Sequence, residues 1–168
     1  MMSMDQKNPS LNEIRFRVAA AADRPRLIEL INAAFSIEKF FEGTRTDDER
    51  LAAMMAKGSI LMAEDAAGQL LASVYLEDRG KRGYMGMLAV DPARQREGLG
   101  RRLMIEVESR FRAQGCEAVD IVVLSMRTEL PPIYQRFGYA ITGTEEFHSS
   151  RPMLPGVECH CIAMSKQL

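Results

Sequence analysis

The segment from Met87 to Leu103 constrains the fold of this chain more than any other. Met87-Leu88-Ala89-Val90 reads as the end of a buried strand, Asp91-Pro92 as a turn, and Gly98-Leu99-Gly100 as the entry to a helix. Leu99, Leu103, Val107 and Phe111 then recur at helical spacing until Gln114-Gly115 closes the helix, which we place from Gly98 to Ala113. A continuous apolar run, Ala118–Leu124, follows and reads as a strand buried on both faces. Strand, helix and strand in this order form a βαβ unit. Tyr84–Val90 and Ala118–Leu124 should therefore lie parallel, joined by a right-handed crossover.

The same segment implies a ligand. Glycines at 98 and 100 remove side chains where the helix begins, leaving its unpaired N–H groups bare. Arg94, Arg96, Arg101 and Arg102 surround them and would repel one another without an anion nearby. A helix N-terminus flanked by cations is suited to phosphate. The dinucleotide fingerprint fits less well, because Leu103 stands where the third glycine of Gly-x-Gly-x-x-Gly belongs.

Upstream, Ile14–Val18 alternates apolar and charged residues as a half-buried first strand. Asp23 caps a helix with Pro25 in its first turn and Leu27, Leu30, Ile31, Ala34 and Phe35 on one face. Thr46-Asp47-Asp48-Glu49 has capping-box form and starts a second helix, which Lys57-Gly58 ends. Ser59–Glu64 and Leu70–Glu77 form a hairpin about Asp65–Gly68, and Asp78–Gly83 turns into the strand Tyr84–Val90. Downstream, a short helix over Pro132–Phe137 precedes strands near Tyr139–Thr142 and Cys159–Met164, separated by a long loop, Gly143–Gly156. The fold class expected is α/β of mixed (α+β) character. Its central sheet is mixed and mostly antiparallel around one parallel pair, with helices on both faces.

At 168 residues the chain has the length for one domain with a substantial core, which we place at 13–168 behind a flexible, polar N-terminus, 1–12. A net charge of −1 gives no electrostatic case for nucleic acid or an anionic membrane. No apolar run reaches the ~20 residues of a membrane helix, and residues 1–12 lack the apolar centre of a signal peptide. The expected location is cytoplasmic. Cys116, Cys159 and Cys161 are too few and too irregular for a disulfide framework. Cys159-His160-Cys161 has one residue between its sulfurs, short of zinc-ligand spacing, so no metal site is expected.

Three blocks, in order, carry a family resemblance: Val90-Asp91-Pro92, Gln95-Arg96-Glu97-Gly98-Leu99-Gly100, and Tyr134-Gln135-Arg136-Phe137-Gly138-Tyr139. They resemble the Val-x-Pro, Gln/Arg-x-x-Gly-x-Gly/Ala and Tyr-x-x-x-Gly-Phe/Tyr segments of the GCN5-related N-acetyltransferases (GNAT). With the element order, the resemblance covers residues 14–165. It implies acetyl-CoA as acyl donor, with its pyrophosphate held by backbone N–H groups between Gln95 and Gly100. The implied cofactor set is Leu88, Ala89, Val90, Gln95, Arg96, Glu97, Gly98, Leu99, Gly100 and Arg101. It further implies that the fourth strand carries a bulge and splays from the fifth. The pantetheine arm would then insert as a pseudo-strand against the backbone of Leu88 and Val90.

By the same resemblance Tyr134 is the general acid that protonates the leaving thiolate, since a phenol of pKa about 10 is protonated at neutral pH. A backbone N–H near Leu88 or Ala89 would stabilise the oxyanion. The implied activity is acetyl transfer to a primary amine of a small-molecule or amino-acid-like acceptor, by direct attack on the thioester. Acetylation of a protein N-terminus or lysine is one alternative, and a non-catalytic acyl-CoA sensor another. A homodimer is a further expectation.

One departure stands out. Many family members carry Asn seven residues before the tyrosine and a small residue three after that Asn; here these are Arg127 and Leu130. Arg127 and Glu129 either pair with each other or face the acceptor. The general base is open among Glu38, Glu42, Glu77, Asp78 and Glu129. The acceptor is expected where the Phe40–Arg45 loop, the end of the third strand and the Gly143–Gly156 loop converge. Phe40 and Phe41 either wall an apolar pocket there or staple the loop to the core. Glu42 and Arg45 offer it either charge.

Overall fold

The computed structural model, which describes residues 13–149 and 151–168, is organised around the expected βαβ unit. The N-terminal segment 1–12 lies outside the described residues. Chain order is β1 (Arg15–Val18), α1 (Arg24–Ala34), α2 (Asp48–Lys57), β2 (Ser59–Glu64), β3 (Leu70–Arg79), β4 (Arg82–Val90), α3 (Leu99–Ala113), β5 (Ala118–Leu124), α4 (Leu130–Arg136), β6 (Ala140–Glu145) and β7 (Cys161–Gln167). The strands form one seven-stranded sheet in the order β1-β2-β3-β4-β5-β7-β6. Every neighbouring pair is antiparallel except β4 and β5.

Two cores sit on opposite faces of the sheet. On one, Leu103, Val107 and Phe111 of α3 pack against Leu61, Val74 and Val119. On the other, Leu27 and Ile31 of α1 and Leu51 of α2 pack against Ile60, Met62 and Tyr75. Each of these large apolar side chains contributes about 1.5–3 kcal/mol by leaving water. The alternation of β-strand side chains therefore decides which layer each residue joins. Leu88 and Val90 turn toward the α3 layer, Met87 and Ala89 toward the α1–α2 layer.

Several local expectations shift by a residue or change purpose. Asp47 rather than Thr46 caps α2, accepting from the Arg50 N–H at 2.9 Å, while the Thr46 hydroxyl donates to the Asp47 carbonyl. Asp23 occupies the cap position of α1, but its carboxylate faces back to the Ala20 N–H and the Arg17 and Arg26 guanidinium groups. Glu64 on β2 takes the same two arginines at 2.6 and 2.7 Å. This ring of four charges ties β1, α1 and β2 together. The Arg17 hydrogen bond holds the Asp23 carboxyl far below the usual carboxylate range, burial opposing. At the far end, β6 runs to Glu145, taking the start of the segment read as loop, because Ile141, Gly143 and Glu145 pair with β7. The last strand begins at Cys161, two residues after its expected start.

The parallel pair is the exception that makes a site. Registered pairs between β4 and β5 stop at Tyr84 and Asp120, although β4 continues to Val90 and β5 to Leu124. On the β3 side, Ser73 pairs with Ala89 but Tyr75 with Gly86, so β4 carries one extra residue: a bulge. It lies at Met87, whose φ of 49° is left-handed. Beyond the bulge the strands diverge. Consequently β5 is not buried on both faces as its run of apolar residues suggests: Val122 and Leu124 are half-buried and line the opening.

Candidate active site

The divergence of β4 and β5 opens a cleft of about 750 Å³. Leu88, Val90, Met104 and Tyr134 line it from the α3 layer, and Phe35, Tyr84 and Met87 from the α1–α2 layer, so the cleft passes through the sheet. No membrane-crossing helix, by length and apolarity, is present among the described residues.

The α3-side wall is mostly backbone. After Val90, a 3-10 turn over Pro92–Arg94 carries the chain out, with the Asp91 carboxylate capping the Ala93 N–H. Arg96 then adopts φ 73° and Gly98 φ 78°, two left-handed residues separated by one. Such alternation turns successive N–H groups toward a common concavity that suits an anion. The helix that starts at Leu99 adds first-turn amides without intrahelical acceptors. Gly98 is required for its backbone, whereas Arg96 holds the same conformation against the Cβ clash. A Cβ at Gly100 would meet only Val90 and Leu88, at 3.7 and 3.9 Å. Arg94, Arg96 and Arg101 bring positive charge to the same rim.

Of the residues expected to hold the cofactor, Leu88, Val90, Gln95, Arg96, Gly98, Leu99, Gly100 and Arg101 line the cleft. Two do not. Ala89 is buried in the α1–α2 layer, and Glu97 extends into solvent. Only their backbone is available to the cleft, as the strand and loop alternation requires.

Tyr134 on α4 reaches the cleft from the β5 side. The Glu108 carboxylate on α3 accepts from Lys166 and from the Tyr139 hydroxyl at 3.1 Å each, which ties the turn between α4 and β6 to the core. Tyr139 in turn packs edge-on against Tyr134, with centroids 5.9 Å apart, and its N–H donates to the Tyr134 carbonyl. Burial pushes the Tyr134 phenol up to about 12. Its hydroxyl has no hydrogen-bond partner among the described residues.

The opposite end is built from side chains. Glu38, just after α1, is buried, its side chain 3% exposed. One carboxylate oxygen accepts from Arg127 at 3.0 Å and the other from Arg151 at 2.8 Å. Arg127 also donates to Glu129 at 2.6 Å, so it pairs locally and reaches the cleft at once. The Arg151 guanidinium lies 4.0 Å from the Phe41 ring centroid, and that of Arg45 lies 5.3 Å from the Phe35 centroid. Burial lowers the proton affinity of both Arg45 and Arg151. Tyr84 lies flat along β4 because residue 86 is glycine. A Cβ there would stand 2.8 Å from the Tyr84 hydroxyl oxygen.

The expected convergence of loops holds for two of its three parts. Phe41 bridges to Met153, and the Glu42 N–H donates to the Pro152 carbonyl at 2.8 Å. The end of β3 does not join them, because antiparallel pairing sets Glu77 and Asp78 opposite the start of β4, away from the splay. Glu77 instead accepts from Tyr75 and Arg79; these bonds outweigh its burial and hold its carboxyl low. Phe41 lines the cleft, and Phe40 only stacks on it at 4.9 Å. Among the five carboxylates considered as base, Glu38 alone lines the cleft, and it is held by two arginines. Arg151, Tyr84 and Phe147 enter the site without any signal in their local sequence.

The comparisons with known proteins agree with this geometry. A family model described as an acetyltransferase (GNAT) domain matches residues 29–154, and the chain belongs to that family. It is 32% identical over 90 residues to the mycothiol acetyltransferase of Propionibacterium freudenreichii subsp. shermanii, an alignment covering 51% of this chain and 29% of that protein. It is 30% identical over 106 residues to glucosamine 6-phosphate N-acetyltransferase 1 of Oryza sativa subsp. japonica, covering 58% and 62%. These matches span less than two thirds of either relative. The solved structure of yncA from Salmonella typhimurium, with acetyl-CoA, shares the fold at a TM-score of 0.70 and 21% identity, covering 94% of this chain and 95% of that one.

Proposed function

We propose that this chain is an acetyl-CoA-dependent N-acetyltransferase whose acceptor is a primary amine on a small or amino-acid-like molecule. The observation that carries the reading is the continuity of one cleft from the left-handed loop at Arg96 and Gly98, past the bulge at Met87, to the opposite face of the sheet. The splayed edge of β4 suits an amide-bearing arm, since residues 85–90 have no registered partner on β5. The loop from Gln95 to Arg101 suits a pyrophosphate. Acetyl-CoA would supply a thioester: as the amine nitrogen bonds to its carbonyl carbon the carbon–sulfur bond breaks, the acetyl group stays on nitrogen as an amide, and CoA leaves as the free thiol.

The residues of the chain then have distinct tasks. Backbone N–H groups near Leu88 face developing negative charge on the carbonyl oxygen. The Tyr134 hydroxyl donates a hydrogen bond to the departing sulfur. With its phenol near 12, complete proton transfer to a thiolate of ordinary pKa about 8.5 is uphill. Tyr134 therefore serves as a donor that passes a proton on only as it receives the one lost by the acylated nitrogen. With Glu38 occupied by two arginines, the separate proton that an ammonium acceptor sheds before it attacks leaves through water rather than to a carboxylate.

A panel of primary amines, amino acids, amino sugars, polyamines and peptides, incubated with acetyl-CoA and read by free-thiol release, tests this. Turnover of small amines ahead of peptides is the expected result. Binding of CoA with no turnover across the panel overturns it and leaves the sensor reading.

A further inference from the structure

We propose that the α1–α2 end of the cleft binds an oxyanion through Arg45, so that the acceptor amine carries a carboxylate or phosphate elsewhere in its structure; this rests on the acetyltransferase reading above. Three arginines, Arg45, Arg127 and Arg151, line this end against the single carboxylate of Glu38. Arg127 and Arg151 already hold both of its oxygens. Arg45 is left with the Phe35 ring and, among the described residues, no carboxylate within 4.0 Å. Even Arg79 and Arg82, each with 47% of its side chain in solvent, hold carboxylates at 3.0 and 2.6 Å. A guanidinium half-withdrawn from water without a counter-ion is costly, and a ligand that supplies one removes the cost.

A second donor points the same way. Tyr84 lines the cleft with Arg45, its ring under the Arg79 guanidinium at 4.1 Å and its hydroxyl without a hydrogen-bond partner among the described residues. A fork of N–H donors beside a phenol matches the planar oxygens of a carboxylate or the faces of a phosphate. The loop at residues 94–101 stands on the α3 side, where Gly100 faces Val90 and Leu88.

Calorimetric titration of the CoA-loaded full chain with matched probes reads the site directly: N-acetylglycine against N-acetylglycinamide, and O-phosphoethanolamine against ethanolamine. At least one oxyanion is expected to bind about 10-fold more tightly than its counterpart without that oxyanion. Arg45→Gln should erase the difference with CoA affinity and circular dichroism unchanged, and Arg45→Lys should retain part of it. The pair that responds distinguishes carboxylate from phosphate. Equal binding within both pairs, no binding of either oxyanion, or a preference that survives Arg45→Gln overturns the proposal. Arg45-dependent binding without thiol release from acetyl-CoA by any amine would instead remove the acetyltransferase reading and leave the anion site standing.

Discussion

On the α3 face of the sheet, most of the cleft wall comes from one stretch between Leu88 and Arg101, whose working groups are amides, with Met104 and Tyr134 completing it. On the α1–α2 face the wall is assembled from Glu38, Arg45, Arg127 and Arg151, with 89 and 113 residues separating the hydrogen-bonded pairs. The first half follows from local backbone geometry: a bulge, two left-handed residues and a helix start. The second depends on long side chains held at fixed distances by one another. A wall of amides tolerates side-chain change and is sensitive to φ. A wall of paired charges has the opposite sensitivities.

The largest effect should come from the side-chain half. Glu38→Ala leaves Arg151 without a carboxylate in a buried setting and should lower stability by about 3–5 kcal/mol, measured by urea unfolding. CoA affinity of the folded variant should stay near that of the parent chain, and a parallel loss of CoA binding would merge the two halves. Next in size is Tyr134→Phe, which should lower the maximal rate about 100-fold while acetyl-CoA affinity changes little. Because burial raises this phenol to about 12, its proton is retained as pH rises through the neutral and mildly alkaline range. The parent rate should therefore show no Tyr134-dependent loss below about pH 10. A limb near neutrality that Tyr134→Phe abolishes would contradict the assigned environment.

Gly98→Ala probes the backbone half. The position has φ 78° and open space around it, so the cost is conformational, about 1–2 kcal/mol, accompanied by weaker CoA binding. Unaltered CoA affinity would show that the loop's shape does not matter. Ser73→Ala should have the smallest effect. Its hydroxyl is buried beside the bulge without a hydrogen-bond partner among the described residues. Replacing it should be neutral or stabilising by up to about 1 kcal/mol, as thermal unfolding would report.

The amino-acid order alone determined the βαβ unit, the helix started at Gly98, both long hairpins and the GNAT resemblance that the family comparison bears out. These rest on periodicity, turn chemistry and motifs read within a few neighbouring residues, where local physics is sufficient. It also placed Tyr134 and the loop residues that line the cleft. What it left open was the acceptor end. Whether Arg127 met Glu129 or the cleft, and whether Glu77 or Glu38 faced the cleft, depended on register and on loop docking across the sheet. Arg151 had no local signal, because its role exists only when the loop before β7 returns to Phe41 and Glu38. Antiparallel pairing sent Glu77 to the closed end of the β4–β5 wedge, and the splay at the other end made Arg45 a cleft residue. Charges far apart in sequence acquire partners only through tertiary packing, and packing alone decided that, of Arg45, Arg127 and Arg151, it is Arg45 that has no carboxylate within 4.0 Å among the described residues.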